Sequence, residues 1–123
     1  MAKVLVYGTL KSGNPVRGLN KFSGADFVSV VQTVNNEWDL ISLGAFPAAV
    51  KGEHNVLGEL WDVSPEVFVE LDVIEGYPEF YTRTKVQTSN GEAWMYHFRE
   101  NHGLADQKSG ITHNMDNTVE WNW

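Results

Sequence analysis

The chain contains no cysteine. Disulfides, thiolate nucleophiles and cysteine-ligated zinc are excluded, and the composition fits a reducing cytoplasm. Basic residues are scarce: nine Lys and Arg stand against sixteen Asp and Glu, for a net charge of −7. So few cations cannot assemble a large basic patch, which argues against nucleic-acid binding. A small anionic ligand stays open, because backbone N–H groups can hold a carboxylate locally. No apolar run approaches the ~20 residues needed to span a membrane. The opening run, Met1 to Tyr7, is too short for a signal peptide. No membrane partner is therefore expected. The phosphate loop is missing, since no Gly-Lys-Ser/Thr follows Gly8 at the required spacing. So are the three spaced glycines of a dinucleotide fingerprint. His54, His97, His102 and His113 show no His-x-x-x-His or comparable grouping, so no metal is expected. No Gly-x-Ser-x-Gly turn marks a serine nucleophile.

What remains is an ordinary globular composition, 42% hydrophobic and 20% charged over 123 residues. It predicts one domain, residues 1–123, that buries somewhat over ~60% of its unfolded surface. Residues 3–7 read as a buried strand, because Val4, Leu5 and Val6 are consecutive and Gly8 ends the run. The loop that follows, Gly8 to Pro15, has two glycines and a proline. Residues 16–22 are compatible with a short helix carrying Val16, Leu19 and Phe22 on one side. Strands are expected over 26–34, around Trp38, Leu40 and Ile41, and over 56–63, with Gly58 marking a bulge or a close backbone approach. Residues 44–50 read as an irregular cavity-lining segment or an edge strand, since Pro47 cannot sit in a central one.

Ser64-Pro65-Glu66 is a helix start: a capping hydroxyl, proline at the first helical position and an acid in the first turn. Val67, Phe68, Leu71 and Ile74 follow at helical spacing, with Glu66, Glu70 and Asp72 left for solvent. Glu75 ends this helix and Gly76 suits a left-handed cap. Strands are expected over 80–88 and 93–98, joined at Asn90-Gly91, a strong hairpin signal. Beyond Arg99 the pattern dissolves into a polar tail of unassigned role. Its Trp121 and Trp123 are expected to pack onto the domain or to engage a partner. The predicted fold is α+β, a small mixed or antiparallel β-barrel with one main helix and short helices packed around it.

Two stretches carry candidate chemistry. Tyr7-Gly8-Thr9-Leu10 ends a strand with consecutive backbone N–H groups that can hold a carboxylate, although an ordinary strand-end turn looks the same. Glu75 lies between Val73-Ile74 and the aromatic cluster Tyr77, Phe80 and Tyr81. Lost hydration there would raise its pKa and suit it to proton transfer. In isolation it reads first as a solvated acid at a helix end, ahead of the catalytic reading. Tyr81 is a candidate for orienting a carboxylate, or simply a core aromatic.

Three motifs in order resemble the γ-glutamylcyclotransferase-like superfamily, with its γ-glutamylamine cyclotransferase branch the nearest in pattern. They are Tyr7-Gly8-Thr9-Leu10; Phe46-Pro47-Ala48 ahead of Val56-x-Gly58-Glu59-Leu60-Trp61; and Leu71-Asp72-x-x-Glu75-Gly76 followed by Tyr81-x-Arg83. The resemblance covers roughly residues 1–98 and leaves the tail without a counterpart. It implies a β-barrel with a pocket at its mouth and no cofactor or metal. It implies Glu75 as the catalytic acid/base, Tyr7, Gly8, Thr9 and Leu10 as the substrate-cradling loop, and Tyr81 as the pocket tyrosine. The expected reaction is cyclisation of a small γ-glutamyl amine or peptide to 5-oxoproline by a monomer. The competing expectation is a catalytically inactive module of the same fold that binds a small ligand or a protein. Phe46, Trp61, Tyr77 and the tail are candidates for selecting the amine side.

Overall fold

The computed structural model describes residues 1–12, 14 and 18–122. The strand Asn55–Val63 organises the sheet. Counting from the N-terminus, the strands are β1 Ala2–Val6, β2 Ala25–Gln32, β3 Trp38–Ser42, β4 Pro47–Lys51, β5 Asn55–Val63, β6 Thr82–Thr88, β7 Gly91–His97, β8 Ile111–His113 and β9 Thr118–Trp121. The helix α1 spans Pro65–Ile74. β2 runs antiparallel along one edge of β5. β1 pairs the other edge from Val63 to Glu59, and β9 takes over beside Asn55 and Val56. β7 joins β1 in parallel and β6 joins β7 antiparallel.

The sheet curls until its outer strands meet. Thr33, just past β2, bridges Thr88 at the end of β6, and the Ser89 N–H donates to the Gln32 carbonyl at 2.9 Å. This closure makes a half-barrel with one main helix, the predicted architecture. Alternation along each strand feeds two packed faces. Val4 and Val6 pack with Val67 and Leu71 of α1, whereas Leu5 packs with Leu60, Met95 and Val119 on the opposite face. Gly58 is a point of close approach: a Cβ there would stand 2.5 Å from the Val6 carbonyl oxygen. The bulge lies instead on β2, between Phe27 and Ser29.

β3 and β4 form a separate two-stranded sheet, so Pro47 opens an edge strand as its missing N–H requires. Of the predicted 16–22 helix, Val16 lies outside the described residues, as do Gly13 and Pro15 of the preceding loop. The described part is a 3₁₀ turn, Leu19–Lys21, with Leu19 buried. β6 starts at Thr82, two residues later than predicted, because Phe80 is drawn back by its N–H bond to the Gly76 carbonyl.

The largest departure is the tail. Residues 111–121 form the hairpin β8–β9, whose second strand extends the central sheet. Trp121 is 4% exposed and packs in the domain; Trp123 lies outside the described residues. The strand residues Val119 and Trp121 are separated by a single position, too short a repeat to stand out in a polar stretch.

Candidate active site

The helix start forms as its sequence dictates. The Ser64 Oγ accepts the Val67 N–H at 3.2 Å, and Pro65 holds the first helical position. The helix end is equally specified. Glu75 is the last residue with helical backbone angles, and Gly76 takes φ +64°. The Gly76 N–H donates to the Val73 carbonyl at 3.1 Å and the Tyr77 N–H to the Asp72 carbonyl at 2.9 Å. These two bonds are the Schellman cap. A side chain at Gly76 would also meet the Phe80 Cβ at 2.9 Å. The cap turns the chain sharply after Glu75, and the Tyr81 N–H then returns to the Glu75 carbonyl at 3.2 Å.

Half-buried Glu75 lines a cavity of about 90 Å³ together with Tyr7, Gly8, Thr9, Leu10 and Tyr81. Both predicted motifs therefore share one cavity, although they lie far apart in sequence. Phe46, Pro47, Ile74, Phe80 and Tyr96 complete much of the wall. Ile74 and Phe80 are also exposed, which gives the cavity an apolar rim. Among the described residues Glu75 is the only acid in the lining, and no histidine lies there. A second cavity, about 170 Å³, is larger but is lined by mixed surface groups such as Glu37, Lys51 and Lys85 without a comparable convergence.

The loop is held from outside the cavity. The Ser12 N–H and Oγ donate to the two carboxylate oxygens of Glu59, each at 2.7 Å, and the Trp61 indole N–H adds a third bond at 3.1 Å. Lys11 Nζ donates to the Trp121 carbonyl at 3.0 Å, so the C-terminal hairpin also steadies the loop. Burial pulls the Lys11 ammonium pKa down, opposed by the charges of Glu59 and Glu120. Gly8 packs so closely on Pro47 that a Cβ would stand 3.0 Å from its Cδ. Among the described residues, none accepts a hydrogen bond from the Gly8, Thr9 or Leu10 N–H.

The tyrosines line the cavity, but their hydroxyls are committed to the protein. Tyr7 donates to the Tyr96 carbonyl at 2.8 Å and accepts the Ala49 N–H at 2.9 Å. Tyr81 donates to the Pro47 carbonyl at 2.7 Å. Tyr96 donates to Asp72 at 2.6 Å. Burial pushes all three phenols far above their usual range. The Asp72 carboxylate adds to this at Tyr96, and the charge of Glu75 adds to it at all three. They therefore stay neutral, and Glu75 lies within electrostatic reach of each.

Asp72 is not a solvated acid, as its helical position predicted. The Arg83 guanidinium grips both of its oxygens, Nε to Oδ1 at 2.9 Å and a terminal nitrogen to Oδ2 at 3.2 Å. Burial raises the Asp72 pKa, but the hydrogen bonds from Arg83 and Tyr96 outweigh it and leave the group below its ordinary value. Arg83 also stacks on Phe68, Tyr77 and Trp94, its guanidinium carbon 4.2–4.6 Å from the ring centres. This ties α1 to β6 and β7 one turn before Glu75. Tyr77 and Trp61 are thereby employed away from the cavity lining, whereas Phe46 does line it. Glu59, Asp72 and Tyr96 were missed as supports because each acts through partners distant in sequence.

Comparison with known proteins identifies the family and the fold. The profile of the family described as gamma-glutamyl cyclotransferase, AIG2-like, matches residues 4–120, so the match extends through the tail that the sequence motifs left without a counterpart. The gamma-glutamylcyclotransferase family protein YtfP of Escherichia coli K12 is 35% identical over 96 residues, 76% of this chain and 80% of that protein. The gamma-glutamylaminecyclotransferase of Rattus norvegicus is 31% identical over 108 residues, 71% of this chain and 63% of that enzyme. The crystal structure of an AIG2-like protein from Mus musculus superposes with a TM-score of 0.68 at 28% identity, covering 80% of this chain and 77% of that one. The chain belongs to the gamma-glutamyl cyclotransferase, AIG2-like family.

Proposed function

We propose that the protein cyclises a small γ-glutamyl amine or γ-glutamyl peptide, releasing 5-oxoproline and a free amine, with Glu75 as general acid/base. The observation that carries this reading is the shared cavity: one carboxylate, Glu75, faces the Tyr7–Leu10 loop, whose N–H groups have no acceptor among the described residues. In this reading those N–H groups receive the substrate α-carboxylate, as consecutive backbone amides can. That leaves the α-amino group toward Glu75. The amine nitrogen attacks the γ-carbonyl carbon and forms the ring C–N bond. Glu75 takes the proton that nitrogen sheds. The amide C–N bond then breaks, and Glu75 returns the proton to the departing amine.

The attack is intramolecular, so holding the chain folded contributes part of the ~7–11 kcal/mol that positioning can supply. Proton transfer by Glu75 adds a factor on the order of 10²–10⁴. Tyr7 and Tyr81 shape the wall and exclude water rather than donate to substrate, because their hydroxyls already hold backbone carbonyls. The apolar rim of Ile74 and Phe80 meets the leaving amine. The test is 5-oxoproline release across a panel of γ-glutamyl amines and peptides by the wild type and Glu75→Gln. Turnover by the wild type, lost in the variant, is expected. Equal turnover in both removes Glu75 from the mechanism. Ligand-induced thermal stabilisation without turnover of any compound replaces the enzyme reading with a binding module.

A further inference from the structure

The histidines that show no grouping in the sequence do group in space. Asp39 on β3, His54 just before β5 and His113 on β8 each present one ligand atom, and these atoms lie within 4.8 Å of one another. The His113 Nε2 stands 3.3 Å from the Asp39 Oδ1, and the two imidazole rings meet edge-on with centres 5.0 Å apart. None of the three lines the candidate active site.

Three observations separate this cluster from a chance surface grouping. First, the His54 Nδ1 is buried and has no hydrogen-bond partner among the described residues. A buried polar nitrogen without a partner is costly and calls for an explanation. Second, each residue sits on paired backbone. Trp38, next to Asp39, exchanges two backbone bonds with His54, at 3.0 and 2.7 Å, and His113 is paired with Val119 of β9. The turn before His54 packs so tightly that a Cβ on Gly52 would come within 2.7 Å of the Asp39 Cβ. Third, the carboxylate is already oriented. Lys108 Nζ holds the Asp39 Oδ2 at 3.0 Å, and the Leu40 N–H donates to Oδ1 at 2.8 Å. Ligating carboxylates commonly carry such outer hydrogen bonds. Lys108 occupies the other carboxylate oxygen, Oδ2, so Oδ1 keeps its remaining lone pair for a ligand.

We propose that Asp39, His54 and His113 form a binding site for a divalent transition-metal ion of the zinc class. Two imidazoles and one carboxylate suit zinc, cobalt or nickel, whereas calcium and magnesium require oxygen-rich sets. Bonds of about 2.0–2.2 Å place tetrahedral ligand atoms roughly 3.3 Å apart. The Asp39–His113 pair already has that separation, and the remaining ligand-atom gaps do not exceed 4.8 Å. His113 is exposed, which leaves the fourth position to water. The bound ion joins the β8–β9 hairpin to β3 and to the start of β5, elements that meet only through tertiary contacts.

The experiment is a calorimetric titration of the untagged, chelator-treated full chain with zinc chloride, repeated with cobalt and followed by visible absorption. One saturable equivalent is expected, with the absorption of tetrahedral cobalt and a rise in melting temperature on zinc addition. His113→Ala should weaken binding at least tenfold and abolish the thermal shift. Its side chain is exposed, so circular dichroism should show the fold unchanged. Asp39→Asn should weaken zinc binding as well, while His102→Ala, at a distant histidine, should leave it unchanged. Absence of a saturable site, or wild-type affinity in both His113→Ala and Asp39→Asn, overturns the proposal.

Discussion

The two ends of this molecule are built by different rules. At the cavity, short sequence signatures each specify their own local geometry: a strand that breaks at Gly8, and a helix that begins at Ser64 and ends at Gly76. At the C-terminal hairpin nothing local specifies the outcome. Residues 111–121 form a hairpin because Val119 pairs with Val56 and Trp121 finds a place in the core. The cavity end keeps an acid half-buried in apolar and aromatic surroundings, an arrangement that suits chemistry more than stability. The hairpin end buries Val119 and Trp121 and fastens Lys11 behind the loop. The proposed chemistry and the stability are thus assigned to different ends, and each assignment can be broken separately.

The largest effect should be chemical. Glu75→Gln keeps the size of the side chain and the helix cap, so the melting temperature should change little while 5-oxoproline release falls by a factor on the order of 10²–10⁴. A comparable loss of stability would make Glu75 a structural residue and erase the contrast. Next is Trp121→Ala at the other end. Emptying the site of a buried tryptophan should cost about 3–5 kcal/mol, read as a lower denaturation midpoint in urea. The Lys11 contact is to the Trp121 backbone carbonyl, so activity of the folded fraction should persist. A stable Trp121→Ala would show that the hairpin is an appendage.

A third test concerns pH. The hydrogen bonds from Arg83 and Tyr96 keep Asp72 below its ordinary pKa against the effect of burial. Its ionised form therefore stabilises the fold above the unfolded value, about 3.9, and that contribution is lost as pH falls through the lower folded value. Asp72→Asn should be less stable than the wild type near neutrality, with a shallower loss of stability on acidification. Parallel stability–pH curves for the two proteins would count against the pairing. The smallest effect is expected from Ser64→Ala, which removes the helix cap and should cost about 1 kcal/mol in thermal or chemical denaturation.

Legibility in the sequence followed the range of the interactions involved. The capped helix, the Asn90-Gly91 hairpin and the edge position of Pro47 depend on neighbouring residues, and each was readable. Glu75 was readable as a candidate because its apolar and aromatic neighbours are adjacent in the chain. Asp72 was misread as solvated, since its partners Arg83 and Tyr96 lie on strands that the helix meets only after folding. Glu59 carried no signal as the anchor of Ser12, 47 positions away. Tyr7 and Tyr81 both line the cavity, but only the packed structure showed their hydroxyls bound to backbone carbonyls. His54 and His113 were set aside for want of a spacing pattern, yet they converge because β8 folds back beside the start of β5.

By itself, then, the sequence determined where the main helix begins and ends, which strand breaks into the loop, and that one acid stands at the helix end among apolar residues. These outcomes follow from capping, turn chemistry and hydrophobic periodicity, which act over a few residues. Tertiary structure alone decided that the acid and the loop share a cavity, that the polar tail becomes part of the sheet, and that Asp39, His54 and His113 meet. Those outcomes depend on the curl of the sheet and the register of strands far apart in the chain, where no local preference reaches.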